Sequence, residues 1–226
     1  MAVARSATVL GITYPSVQAG GMVESNVAQE WDERYAAAEQ LFSGQPNTVL
    51  ISEVSGLTPG RALDVGCGEG ADAVWLAAQG WTVTALDVSR VAVERAAARA
   101  ARAGAEVAFV RNDLVAAELP ANGFDLVTAQ YPALRSSADR AAERALTAAV
   151  APGGVLLVVH HAGVDEDTAR ARGFDPADYV FPADVRAVLG DGWEVRFEES
   201  RPRDTPLGGA EHRHTHDAVL FARRLQ

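Results

Sequence analysis

The sequence predicts an α/β fold: a doubly wound, mostly parallel sheet with an antiparallel pair at its end. Three observations predict it. From Arg61 onward, short β-rich apolar runs alternate with helical runs, the pattern of parallel strands joined by crossover helices. A glycine-rich turn joins the first of these strands to the first helix. The last two apolar runs are joined by a Pro/Gly loop with no helix between them, so they must pair antiparallel.

The elements follow in order. Residues 1–23 read as a flexible tail, and Met22 offers an alternative start. The apolar run Ala7 to Tyr14 is short, broken by Gly and Thr and stopped by Pro15, so a secretory signal is disfavoured. Glu24 to Gln40 and Thr48 to Ser55 read as helices before the sheet. Arg61 to Val65 is a buried strand, and Ala71 to Gln79 a short helix closed by Gly80. Trp81 to Asp87 is the second strand. Ser89 can cap the Ala/Arg/Glu-rich helix Arg90 to Arg102, which ends before Gly104. Val107 to Arg111 and Phe124 to Ala129 are the third and fourth strands. Ser137 can cap a helix over Ala138 to Val150, and Pro152-Gly153-Gly154 makes a turn into the strand Val155 to Val159. Ala183 to Leu189 reads as a short helix, and Trp193 to Glu199 with Asp217 to Ala222 as the terminal pair. One domain over residues 24–226 is expected.

Composition narrows the chemistry. The net charge of −10 argues against a phosphate-backbone partner, so no nucleic acid is expected. No apolar stretch approaches the ~20 residues that span a bilayer, so a cytoplasmic protein without membrane contact is expected. The single cysteine, Cys67, excludes an intrachain disulfide and a Cys-based zinc cluster. All 20 basic residues are Arg, so no step uses a lysine amine.

The chemical signal lies in Leu63-Asp64-Val65-Gly66-Cys67-Gly68-Glu69-Gly70. Glycine lets the backbone turn sharply and lets a ligand lie against it. Taken alone, the string also fits the dinucleotide pattern G-x-G-x-x-A or a purely structural turn. Asp87 ends the second strand, where a carboxylate can accept from both hydroxyls of a ribose. Asn112-Asp113-Leu114 follows the third strand, where an Asp can accept from an adenine amino group; Asp also ends strands simply as a turn former.

On these residues the chain resembles the class I S-adenosylmethionine (SAM) dependent methyltransferases, over roughly Trp31 to Arg223. Ala62 to Gly70 is similar to the family's first motif and Ala85-Leu86-Asp87-Val88-Ser89 to its acidic second. Asn112-Asp113-Leu114 is similar to the third, Phe124-Asp125-Leu126-Val127 with Gln130 to the fourth strand and its cofactor-facing end, and Ala151-Pro152-Gly153-Gly154 to the turn before strand five. The resemblance implies a Rossmann-like seven-stranded sheet with the last strand inserted antiparallel. It implies SAM as cofactor and S-adenosylhomocysteine (SAH) as product. It places Gly66 and Gly68 along the methionine part, Asp87 at the ribose and Asp113 at the adenine, with Asp64, Cys67, Val88, Asn112, Leu114 and Gln130 among the cofactor-binding residues.

The segment before the sheet narrows the branch. Trp31-Asp32-Glu33-Arg34-Tyr35 and Phe42-Ser43-Gly44-Gln45-Pro46-Asn47 resemble the N-terminal lid of tellurite-resistance and thiopurine methyltransferase-like enzymes, a lid expected over residues 24–56 with Trp31 and Tyr35 against the cofactor. That branch implies a small-molecule acceptor with a soft nucleophile: a thiol or another chalcogen. An O- or N-methyltransferase remains the alternative, and a NAD-dependent oxidoreductase or a SAM-binding module without turnover the other classes. Gln130-Tyr131-Pro132-Ala133 lacks the Asn/Asp-Pro-Pro-Tyr/Phe signature of amino-methylating nucleic-acid enzymes. Tyr131, His160 and His161 are the candidates for touching the acceptor, because they close strands four and five at the ligand-binding edge. Strand alternation sends the two histidines to opposite faces. His212, His214 and His216 alternate along a polar stretch and read as a solvated edge rather than a metal site. A monomer or homodimer is expected.

Overall fold

A computed structural model describes residues 7–9, 12–14, 26–163, 170, 175–203 and 215–226. Within the stretch expected to be a tail, β1 (Ala7–Val9) and β2 (Ile12–Tyr14) pair antiparallel as a separate two-stranded sheet. Two helices precede the main sheet, α1 (Asn26–Ala36) and α2 (Thr48–Val54). There follow β3 (Arg61–Val65), α3 (Ala71–Ala78), β4 (Thr82–Asp87), α4 (Arg90–Ala103), β5 (Val107–Arg111) and β6 (Phe124–Gln130). The chain continues with α5 (Ala141–Ala149), β7 (Val150–His161), α6 (Pro182–Arg186), β8 (Trp193–Pro202) and β9 (His216–Arg224).

The main sheet has seven strands in the order β5-β4-β3-β6-β7-β9-β8. Strands β3 to β7 are parallel, and β9 enters antiparallel between β7 and β8. The expected doubly wound sheet with an inverted last strand is therefore what forms. Strand order reverses between β3 and β6, and ligands of such sheets bind at the carboxyl ends beside that point.

Alternation along the strands separates two apolar layers. Leu63, Val127, Leu156, Val158 and Leu220 face α5 and α6. Ala62, Val83, Leu126, Leu157 and Val219 face α2 and α3. Helix α4 lies beside α3: a Cβ on Gly70 would come within 2.7 Å of the Ala96 Cβ. Both sheet faces are covered, which explains why the strands read as continuous apolar runs.

Local chemistry sets the element ends. The Ser89 hydroxyl accepts from the Ala92 amide at 3.1 Å and starts α4; Gly104, at φ +64°, ends it. Elsewhere the structure corrects the sequence reading. Pro152-Gly153-Gly154 is no turn between elements but a bulge inside β7, where the register to β6 jumps from Phe124↔Val150 to Leu126↔Val155. Gly153, at φ +78°, absorbs the extra residues. Helix α5 starts at Ala141 rather than Ala138, because Arg140 takes a left-handed φ of +54° and the Ser137 hydroxyl accepts from the Ala141 amide. Helix α6 starts one residue earlier than expected, at Pro182, and stops at Arg186.

Candidate active site

The site grows from the turn between β3 and α3. The Gly66 and Cys67 amides both donate to the Leu86 carbonyl, at 2.8 and 3.0 Å, folding the turn back onto β4. Gly66, Gly68 and Gly70 all have positive φ. Two of these glycines do different work. A Cβ at Gly70 would press into α4, so this glycine serves helix packing. A Cβ at Gly68 would lie 3.0 Å from the Tyr35 hydroxyl, so this one lines the space under α1.

Beneath the turn lies a group of buried acids. Asp87 accepts from the Gly68 amide through Oδ2 and from the Ser89 amide through Oδ1, each at 2.9 Å. This fixes both oxygens while leaving each with acceptor capacity. Burial pushes its carboxyl above the ordinary range, against the pull of these amides. Asp64 is enclosed and its Oδ2 has no hydrogen-bond partner. Its carboxyl is pushed well up, by burial first and by the charges of Asp72 and Asp87 next. Burial likewise pushes up the Cys67 thiol, so that side chain is inert packing. At the end of β6, Gln130 is buried; its Nε2 donates to the Thr128 hydroxyl at 2.9 Å and its Oε1 has no partner.

Residues 26–47 are strapped across this turn. Asp32 on α1 accepts from the Ser89 hydroxyl (2.5 Å) and the Val91 amide (3.1 Å), adding a second cap to α4. The buried Glu69 carboxylate accepts from the Leu41 and Phe42 amides, each at 3.2 Å, and from Arg95 at 2.9 Å. Arg95 also donates to the Tyr35 and Ala38 carbonyls, and Asp72 takes the Asn47 amide and side chain, both at 2.7 Å. Trp31, Tyr35 and Phe42 stack in sequence, with centroids 5.8 and 6.0 Å apart. Tyr35 is buried and Trp31 half-buried, and Tyr35 with Phe42 forms an aromatic wall over Gly68.

The other side of the site forms where β6, β7 and β9 end. Tyr131 holds a left-handed φ of +52°, unusual for a side chain of its size, and its hydroxyl donates to Asp217 Oδ2 at 2.9 Å. Burial and the Asp217 charge raise its phenol above the normal range, so it remains a proton donor. The histidines separate as alternation requires. His160 packs on Phe181 (centroids 4.3 Å apart) and His161 on Tyr131 (4.5 Å). Asp217 lies directly across the ladder from His161, and Arg203 sits 3.4 Å from Asp217 and 5.2 Å from the Tyr131 ring. A cleft of about 580 Å³ opens beside His161, walled by Tyr179, Phe181, Phe197 and Ala218 with Glu143 and Arg140 at one end.

Of the remaining candidates, Asn112 lies beside Asp87, its amide donating to the Asp87 carbonyl at 3.1 Å. Leu114 is buried in the α5-side core, so its side chain packs rather than faces a ligand. Asp113 is exposed, its Oδ1 accepting from the Val115 amide, while Asn112 Oδ1 accepts from the Asp113 amide. Val88 is half-buried and accepts from Arg111 through its carbonyl at 3.4 Å. His212 and His214 lie outside the described residues; His216 contacts the Thr215 hydroxyl at 2.9 Å. Among the described residues no cluster of metal-ligating side chains forms. Asp217, Arg203, Glu69 and Asp72 were missed in the sequence. An Asp inside the last apolar strand was the signal for the first, since a buried acid needs partners.

The arrangement suits a ligand with vicinal hydroxyls and a positive charge. Asp87 offers paired acceptors, while Asp64 Oδ2 and Gln130 Oε1 are buried acceptors to be satisfied.

Residues 62–154 match a family model described as a methyltransferase domain. An uncharacterized methyltransferase of Mycobacterium tuberculosis is 39% identical over 97 residues, covering 43% of this chain and 48% of that protein. The match thus spans about half the length of that relative. A probable thiol methyltransferase of Arabidopsis thaliana is 30% identical over 198 residues, covering 83% of this chain and 76% of its own. A solved structure concerned with conversion of a disulfide bond into a thioacetal group during echinomycin biosynthesis aligns with a TM-score of 0.67 at 25% identity, over 88% of this chain and 93% of that one.

Proposed function

The chain belongs to the SAM-dependent methyltransferases, and from that premise we propose that it methylates a small-molecule nucleophile, with a thiol or related chalcogen as the leading class. The observation that carries the cofactor half is the glycine turn with Asp87 at its base and two buried, unpartnered acceptors, Asp64 Oδ2 and Gln130 Oε1, around it. A dinucleotide reading gains nothing comparable: the family membership and the inserted antiparallel strand both set it aside.

SAM supplies an activated methyl group on a sulfonium, and the chain's own residues have to position and enclose. Asp87 is the ribose acceptor, held by the Gly68 and Ser89 amides before any ligand arrives. Gln130 Oε1 and Asp64 Oδ2 are placed for an ammonium, whose charge would favour the ionised form of a carboxyl that burial disfavours. Tyr35 and Phe42 exclude water from above Gly68, with Trp31 packed behind Tyr35. Asn112 and Asp113 are the adenine-side candidates. Alignment of this kind contributes up to ~7–11 kcal/mol in well-oriented cases.

Tyr131 and His161 line the acceptor side, and His160 packs on Phe181. A thiol with a pKa near ~8.5 is partly ionised at neutral pH and needs little base assistance. The sulfur chemistry named for the Arabidopsis relative supports that acceptor class. The acceptor's body is expected in the cleft walled by Phe181, Tyr179 and Phe197. The test is a thermal-shift comparison of SAH with NAD, followed by measuring SAH release with thiols, selenite, tellurite and phenols. Stabilisation by NAD but not SAH would overturn the cofactor assignment. Turnover confined to phenols or amines would overturn the chalcogen assignment.

A further inference from the structure

The end of β7 carries a polar group that methyl transfer to an ionised thiol does not need. Asp217 is enclosed: it is 1% exposed, and its Oδ1 has no hydrogen-bond partner. Its Oδ2 is taken by the Tyr131 hydroxyl at 2.9 Å and by Arg203 Nε at 3.4 Å. Oδ1 points to His161 Nδ1, 3.6 Å away, from the residue directly opposite in the antiparallel ladder. The backbone register therefore imposes this pairing.

Resting on the methyltransferase reading, we propose that Asp217 is a positioning residue: it holds the proton of His161 on Nδ1, so that Nε2 is the ring nitrogen that takes a proton from the methyl acceptor. A small rotation of the imidazole brings Nδ1 into hydrogen-bond range of Oδ1. The gain is the satisfaction of a buried acceptor that otherwise lacks any donor.

One group competes. Arg203 Nη1 stands 3.4 Å from the same Nδ1 and can only donate, which would force the proton onto Nε2. Arg203 already contacts Asp217 Oδ2, whereas among the described residues Oδ1 has no other donor, so the carboxylate wins the nitrogen. Among the described residues, Asp217 from β9, Arg203 after β8, Tyr131 after β6 and His160 on its own strand face His161. Tyr131, donating to Oδ2 and stacked on the imidazole, fixes the ring from the other side.

The step balances simply. The bond from acceptor atom to methyl carbon forms as the sulfonium–methyl bond breaks, and that electron pair stays on the sulfur of SAH. The acceptor's proton moves to Nε2. The resulting imidazolium sits against the Asp217 carboxylate, which compensates its charge. Such a dyad extends the acceptor class to protic groups that are un-ionised at neutral pH, such as a phenolic or enolic hydroxyl, alongside thiols.

The test reads the tautomer directly and needs no acceptor. The chain has five histidines. Isotope labelling of their ring nitrogens and a long-range nitrogen–proton correlation spectrum reports which nitrogen carries each proton. The His161 signals are those missing from His161→Gln. The expected result is a proton on Nδ1 in the unaltered protein, and a fall of about tenfold or more in the Nδ1–H to Nε2–H ratio in Asp217→Asn. Arg203→Met should leave the ratio in place. A proton on Nε2 in the unaltered protein overturns the proposal, and that reading stands even if Asp217→Asn does not fold. An unchanged ratio in folded Asp217→Asn overturns it as well. Calorimetry with SAH on the same samples separates this outcome from a failure of the cofactor assignment.

Discussion

Glu69→Ala should release the strap that covers the glycine turn. The carboxylate holds the Leu41 and Phe42 amides and one arm of Arg95, while the other arm of Arg95 keeps its two carbonyl partners. Two partly buried amides thus lose a charged acceptor. At about 1 kcal/mol for each, at the low end for such bonds because water can replace part of the loss, strap docking weakens by about 2 kcal/mol. That corresponds to about a 30-fold larger open population. Limited trypsin digestion reads it at Arg34, an exposed residue on α1. Initial cleavage tracks the open population when reclosing is fast, so the Arg34 cut should accelerate by about that factor while cuts inside the sheet domain do not. In the unaltered protein, saturating SAH should slow the same cut. An Arg34 rate unchanged in folded Glu69→Ala would refute the strap. Equal rates with and without SAH would show that it docks independently of the cofactor.

Three further outcomes are expected. Gly70→Ala should cost about 2–4 kcal/mol of stability, because its Cβ would sit 2.7 Å from Ala96 at a φ of +80°, whereas Gly68→Ala should chiefly weaken SAH binding; denaturant melts and calorimetry on both variants check the division. Asp64→Asn should gain stability over the unaltered protein as pH rises. The folded carboxyl titrates well above 3.8, so the unaltered fold loses stability as pH climbs from that value through the folded pKa, and Asn does not titrate; a stability of the Asn variant minus that of the unaltered protein that falls toward alkaline pH would contradict this. Tyr131→Phe should destabilise the fold by about 1–3 kcal/mol by leaving Asp217 with one donor fewer, measured by urea unfolding, with an unchanged midpoint as the contrary result.

Much of the fold was legible because its signals are local. Arg61–Val65 and Val107–Arg111 form strands at the residues their apolar runs mark, and Ser89 and Gly104 close α4 by side-chain and backbone chemistry that a sequence displays. The glycine turn after β3 and the place of Asp87 at the end of β4 were legible for the same reason. The bulge at Pro152 to Gly154 was not, because a turn and a bulge use the same residues and only the neighbouring strand decides between them. Residues such as Asp217 and Arg203 meet Tyr131 only after β9 inserts between β7 and β8, a register no local pattern encodes. Nothing local marks Glu69 and Asp72 for fastening the strap, a task that depends on where residues 41–47 return. Leu114 shows what position alone does not reveal: its place after β5 pointed to the cofactor, while its side chain packs in the core.

The central claim is that the turn after β3, with Asp87 beneath it, is the SAM site. Isothermal titration with SAH, on the unaltered protein and on Asp87→Ala with its fold checked by circular dichroism, tests it most directly. One saturable site is expected for the unaltered protein. The variant should bind about 10- to 150-fold more weakly, the loss of a charge-assisted hydrogen bond of about 1.5–3 kcal/mol. No SAH binding by the folded unaltered protein, or equal affinity in Asp87→Ala, would contradict the account.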